Sequence, residues 1–227
     1  MQDRINMKRL SASKGTRFAL CLLVACLSAV LLLQPTAAEA QTSFLDVPPG
    51  FWGASFIATV TNAGVMDGCG GEFFCPHDPV TREDMAIWLE RGIHGAGYTP
   101  PAASGIFSDV PTSYCLAPWI EQLYADHITA GCSTSPLEYC PFRPLTRAEM
   151  AVFLLRAKHG PTWQPPTCTS QVFDDVPCSS WAAAWINELY NEGITAGCSA
   201  NPPLFCPDDQ VTRTQMAAFL VRTFNLH

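Results

Sequence analysis

Residues 145–150 read "LTRAEM", and altered versions stand at 80–85 ("VTREDM") and 211–216 ("VTRTQM"). Each joins Thr-Arg to a Met four residues after the Thr. Apolar residues then follow at i, i+3 and i+4, as Met85/Trp88/Leu89, Met150/Phe153/Leu154 and Met216/Phe219/Leu220, which is one face of a helix. Thr81, Thr146 and Thr212 read as N-caps, and Asp84, Glu149 and Gln215 three residues later complete capping boxes. Asp fits that place less well than Glu or Gln. The arginine is the odd member. Arg82, Arg147 and Arg213 occupy the first helical position, where the free N–H groups already make the helix end positive, an opposition of about 0.3–1 kcal/mol each. Two explanations stand. An acid of another copy, such as Asp67, holds the guanidinium, or the guanidinium and helix N–H groups converge on a bound anion, a planar carboxylate suiting the fork best.

The motif belongs to a longer unit that occurs three times. Each copy opens with Phe-x-Asp-Val-Pro at 44–48, 107–111 and 173–177, and Ile57, Ile120 and Ile186 follow each Asp by eleven residues. Then come "GVMDGC" (64–69), "HITAGC" (127–132) and "GITAGC" (193–198), next "FFCP", "EYCP" and "LFCP", and Thr-Arg five residues past each Pro. The spacing is 63 residues from Asp46 to Asp109 and 66 from Asp109 to Asp175. Residues 96–105 and 160–171, rich in Gly, Pro and small polar residues, read as linkers. Aromatic-Ile-x-x-apolar ("FIATV", "WIEQL", "WINEL") predicts a first helix in each copy. No stretch alternates long enough for a substantial strand. Two such helices bury too little to stand alone, so the copies must cover one another's apolar stripes. The predicted architecture is all-α, joined around a pseudo-threefold axis.

The chain has 227 residues, 48% hydrophobic and 15% charged, a globular composition. Its first forty residues stand apart. Arg4, Lys8, Arg9, Lys14 and Arg17 precede an apolar run at 18–33, and "AEA" (38–40) has the small-x-small pattern of a signal-peptidase site. Cleavage after Ala40 is expected. A retained membrane anchor and a lipidated Cys26 are the alternatives, the second opposed by the apolar run's continuing seven residues beyond that cysteine. Removing residues 1–40 takes five of the 13 Lys+Arg and two of the 20 Asp+Glu, leaving 8 against 18 and a formal charge of −10. Nucleic acid is therefore excluded as a partner, since phosphate neutralisation needs a basic surface.

Nine cysteines remain in that mature chain. Cys69/Cys75, Cys132/Cys140 and Cys198/Cys206 are equivalent pairs bracketing the loop between the helices, and an exported chain with such pairs predicts disulfides, each stabilising by roughly 2–3 kcal/mol. Cys168 and Cys178 are expected to bridge the second linker to the third copy. Cys115, where the other copies have Trp52 and Trp181, is either a buried free thiol or an intermolecular link. Five or seven residues separate the paired cysteines and no histidine recurs with them, so no metal and no cofactor is predicted.

The order F-x-D-V, Trp181-Ala182, G-I-T-x-G, F-x-P and T-R-A-E resembles the S-layer homology (SLH) family over about residues 44–224. The resemblance implies a signal peptide (1–40) and three SLH repeats of helix-loop-helix form (41–104, 105–170, 171–227), packed as a spindle-like pseudo-trimer. It implies grooves between repeats that bind cell-wall or surface polysaccharide, notably pyruvylated polymers. Carried over residue by residue, Arg147 stands in an intact T-R-A-E, Arg82 in "TRED" and Arg213 in "TRTQ", with Thr81, Thr146 and Thr212 beside them. The family tryptophan matches Trp52 and Trp181, and Cys115 departs from it. The cysteine-bracketed loops lie outside the common family pattern. The reading is a non-catalytic anchoring module at the cell surface or envelope. The alternative is an extracellular structural protein that binds an envelope protein rather than glycan. An enzyme is not expected. The five histidines occupy non-equivalent places, no nucleophile-elbow, zincin or phosphate-loop pattern occurs, and Glu83 and Glu149 read as helix-start residues.

Overall fold

The computed structural model describes residues 44–227, so the expected signal peptide and Cys26 lie outside the described residues. The elements run α1 (Ala54–Asn62), α2 (Arg82–His94), α3 (Ala117–Ala125), β1 (Ser133–Thr134), β2 (Leu137–Glu138), α4 (Arg147–His159), α5 (Ala183–Asn191), β3 (Ser199–Ala200), β4 (Pro203–Leu204) and α6 (Arg213–Phe224). The chain is mostly helical, yet not purely so. β1–β2 and β3–β4 are antiparallel hairpins inside the cysteine loops of copies 2 and 3. The shorter loop of copy 1 keeps a lone bridge, Gly70 to Phe73. Two-residue strands are too short to leave an alternating pattern, so the all-α expectation is corrected here.

The predicted capping boxes form at α2, α4 and α6. Thr81, Thr146 and Thr212 each accept the third-residue N–H at 3.3 Å, while Asp84, Glu149 and Gln215 accept the cap N–H at 3.0, 3.2 and 3.1 Å. Behind each cap, Met85, Met150 and Met216 are fully buried.

Helix-loop-helix is a misleading description of a copy, because its two helices do not pack on each other. α3 packs on α2, α5 on α4 and α1 on α6, each pair drawn from two copies, while α2, α4 and α6 pack together. Apolar stripes on nine-residue helices are thus buried against a neighbour, as their small area requires. Backbone bonds run the same way round. Val80 donates to Val211, Val211 to Leu145 and Leu145 back to Val80 at 2.8, 3.1 and 2.8 Å. All three residues are buried.

Within each copy the Asp of Phe-x-Asp-Val-Pro clamps the cystine loop. Asp46 accepts the N–H groups of Phe74 and Cys75, Asp109 those of Tyr139 and Cys140, and Asp175 those of Phe205 and Cys206, at 2.8 and 2.7 Å each time. The preceding aromatics, Phe44, Phe107 and Phe173, lie against Phe74, Tyr139 and Phe205. The Gly of "TAGC" is needed by the same loop. At Gly131 and Gly197 φ is +87° and +89°, and a Cβ would stand 2.4 Å from the Glu138 and Leu204 carbonyl oxygens. All four predicted disulfides form: Cys69–Cys75, Cys132–Cys140, Cys168–Cys178 and Cys198–Cys206. Cys115 is a free thiol and exposed, not buried.

Candidate functional site

The motif arginines answer the electrostatic puzzle in an unexpected way. Each is almost wholly buried and reaches into the next copy. The Nε of Arg82 donates to the Tyr139 carbonyl at 2.8 Å, that of Arg147 to Phe205 at 2.7 Å and that of Arg213 to Phe74 at 2.8 Å. Each guanidinium also lies between two rings: Tyr139 and Phe153, Phe205 and Phe219, Phe74 and Trp88. Charge-assisted bonds and cation–π contacts in such a dry setting outweigh the modest dipole opposition. Burial pulls all three guanidinium pKa values down from their ordinary value.

The helix N–H groups that an anion would have taken are occupied. Those of Arg82 and Glu83 go to Arg143 and Pro141, those of Arg147 and Ala148 to Asp209 and Pro207, and those of Arg213 and Thr214 to Asp78 and Pro76. The suggested acid partner, Asp67, is engaged otherwise: its carboxylate pairs with Arg91 at 2.5 Å, and its carbonyl accepts from Nη2 of Arg213 at 2.6 Å. Among the described residues one motif arginine has a carboxylate within reach, Arg82 at 3.9 Å from Glu149. The Nη2 atoms of Arg82 and Arg147 are buried without a hydrogen-bond partner.

A second arginine follows nine residues after each of these, and the motif reading stops short of it. Arg91, Arg156 and Arg222 lie over Trp119, Trp185 and Phe56 of the next copy. Arg156 and Arg222 also donate to the carbonyls of Ile128 and Ile194 at 3.2 and 2.9 Å. Their constant spacing is the signal that could have found them.

These residues line clefts between copies. The cleft between copies 1 and 2 encloses about 290 Å³, with Asp67, Asp84, Trp88 and Arg91 from copy 1, Leu116 and Trp119 from copy 2, and Arg213 from copy 3. That between copies 2 and 3 encloses about 230 Å³ and is lined by Thr129, Glu149, Phe153 and Arg156 of copy 2 and Trp181 of copy 3. Arg82 of copy 1 lies against its Glu149 and Phe153. The counterparts between copies 3 and 1 are Thr195, Gln215, Arg222 and Trp52. Trp52 and Trp181 are 58% and 68% exposed, an unusual placement for indoles, and nothing among the described residues covers them.

The three cap threonines stand at the buried ends of α2, α4 and α6, with their hydroxyls committed to the caps. Glu83 accepts the Tyr114 hydroxyl at 2.5 Å, and burial pushes its pKa up. Glu149 is held by Arg143 and by the Thr146 N–H. Burial would raise its pKa, but those bonds and the charges of Arg143 and Arg82 carry it below the ordinary carboxylate value.

Residues 43–86 match the family model of the S-layer homology domain. The chain is also 30% identical over 118 residues to an endoglucanase of Bacillus sp. (strain KSM-635), covering 52% of this chain and 12% of that protein. It is 31% identical over 107 residues to an amylopullulanase of Thermoanaerobacterium thermosulfurigenes, covering 47% of this chain and 5% of that one. The chain thus spans a small fraction of the length of these relatives. No helix among the described residues is long and apolar enough to cross a membrane.

Proposed function

We propose, from the premise that the chain carries an S-layer homology domain, a non-catalytic anchoring module that attaches to the cell surface by binding envelope polysaccharide in its inter-copy clefts. The observation that carries this reading is the exposed indole of Trp181 on a cleft floored by Arg156, with Trp52 exposed at the equivalent place of copy 1. A sugar ring stacks its C–H face on such an indole, while Arg156 and the Thr129 hydroxyl supply polar contacts. A net negative chain would repel an acidic polymer at long range, and the arginines provide the local exception. A pyruvylated glycan is the ligand class this arrangement suits, since a ketal carboxylate matches a guanidinium.

In this reading the three copies form one pseudo-threefold body, supported by the cyclic bonds of Val80, Leu145 and Val211. Arg82, Arg147 and Arg213 serve the ligand from beneath, as positive charge under the cleft floor, and Thr81, Thr146 and Thr212 serve it by fixing the helix starts. The protein is exported by its first forty residues. Sedimentation with isolated cell-wall material tests the reading, before and after mild acid removes ketal-linked substituents. The protein should pellet with untreated wall and stay in solution with the treated wall. Failure to pellet with either overturns the polysaccharide reading.

One observation favours a second reading. Cys115, exposed and unpaired where two other copies have tryptophan, suits a covalent link to an envelope protein. A partner band released only by reductant from intact cells, without glycan retention, would favour it.

A further inference from the structure

Beside the cleft between copies 1 and 2, α2 and the end of α3 bring together Glu90, His94 and Asp126. Nε2 of His94 stands 3.3 Å from Oε2 of Glu90 and 2.9 Å from Oδ2 of Asp126, and the three ligand atoms lie within 4.8 Å of one another. Glu90 is completely buried, and neither of its oxygens accepts a hydrogen bond. A buried carboxyl group that accepts no hydrogen bond, with the His94 ring 3.3 Å away and a second carboxylate beside it, is an unfavourable group for a fold to contain, so it requires a reason.

Copy 2 supplies the control. At the places of Glu90, His94 and Asp126 it has Leu155, His159 and Glu192. There the acid is neutralised within the chain: Glu192 takes Nζ of Lys158 at 2.8 Å and Nε2 of His159 at 2.6 Å. Copy 1 has apolar Ile93 where copy 2 has that lysine, and has added a second carboxylate where copy 2 has leucine. It therefore has one more acid and one fewer cation. The surroundings hold the set in place. Tyr98 stacks on the His94 ring with centroids 4.3 Å apart, and Gln122 donates to the other oxygen of Asp126 at 2.8 Å. Such outer contacts fix ligand orientation at metal centres.

We infer that Glu90, His94 and Asp126 form a divalent transition-metal site, of zinc type, joining copy 1 to copy 2. One imidazole with two carboxylates suits zinc better than the oxygen-only sets of calcium or magnesium. Bonds of about 2.0–2.2 Å in tetrahedral geometry space ligand atoms roughly 3.3 Å apart, close to the 3.3 and 2.9 Å that separate His94 from the two carboxylates. The fourth position falls to water. Cysteine-based zinc motifs could not reveal this site, because its ligands come from two helices of two copies.

The test titrates ZnCl2 calorimetrically into the purified, EDTA-treated protein in a Cys115→Ser background, so that the free thiol contributes nothing. One equivalent should bind. Glu90→Leu, the residue copy 2 itself uses, should weaken binding about 100-fold or more, and Asp126→Asn should do likewise should the first variant fold poorly. His159→Ala should leave binding unchanged. No zinc uptake by the parent protein, or equal affinity in folded Glu90→Leu and Asp126→Asn, overturns the assignment.

Discussion

The clefts on either side of copy 2 share a frame and differ at the rim. Both have a motif arginine under a ring, a second arginine on the long helix and a tryptophan from the next copy's first helix, Trp119 or Trp185. At the rim, Trp181 stands between copies 2 and 3 where Cys115 stands between copies 1 and 2, and Ala130 takes the place of Asp67. The motif arginines, whose Nε groups donate to backbone carbonyls of another copy, are the same in every copy. Residues that face solvent are free to differ, and the difference sets what each cleft can hold. The cleft of copies 1 and 2 carries Asp67 and Asp84 beside its arginines and has Cys115 where the other has an exposed rim indole. On the proposed reading, that of copies 2 and 3 is the better furnished for a carboxylated sugar.

Removing a frame residue should have the largest effect. Arg147→Ala takes away the bond to the Phe205 carbonyl and a guanidinium between two rings, and should lower unfolding free energy by about 3 kcal/mol. Arg82→Ala and Arg213→Ala should do nearly the same in urea denaturation. Losses below about 0.5 kcal/mol would mean that these arginines are not structural. Asp175→Ala, which frees two loop N–H groups, should cost about 2 kcal/mol by the same measurement.

Rim changes should act on binding and leave stability alone. Trp181→Ala should weaken wall-polymer binding about tenfold, or 1.4 kcal/mol, with an unchanged urea midpoint. Cys115→Trp should strengthen it a few-fold by giving the cleft of copies 1 and 2 an exposed rim indole. An unchanged affinity there would mean that Asp67 and Asp84, not the missing ring, set the contrast.

The smallest effect compares the helix caps. Glu149 has a folded-state pKa below its unfolded value, so its contribution to stability is present above the ordinary carboxylate range and is lost as pH falls through the lowered value. Copy 3 has uncharged Gln215 at that place. Glu149→Gln should therefore flatten the acid limb of the stability–pH profile slightly. An unaltered limb would show that Arg143 and the Thr146 N–H do not favour the charged form in solution.

Much of the frame is legible in the sequence because it is local. Capping boxes span three residues, and three of the four cystines close the short loops that their spacing marks out. The fate of the arginines is not, since their acceptors are carbonyls 57, 58 and 139 residues away, and a carbonyl leaves no trace in residue identity. Trp52 and Trp181 were marked out by the family pattern, and both indoles are exposed. Arg91, Arg156 and Arg222 had a periodic signal beyond the end of the motif. Glu90 looks like any acid on a polar helix turn, and its burial is visible only once α3 of the next copy covers it.

The central claim separates an arginine frame from a tryptophan rim. It is tested most directly by measuring wall-polysaccharide affinity and the unfolding midpoint together in a Trp52→Ala/Trp181→Ala double variant. The account predicts a normal midpoint with affinity reduced at least about tenfold. A normally folded double variant that binds like the parent would contradict it.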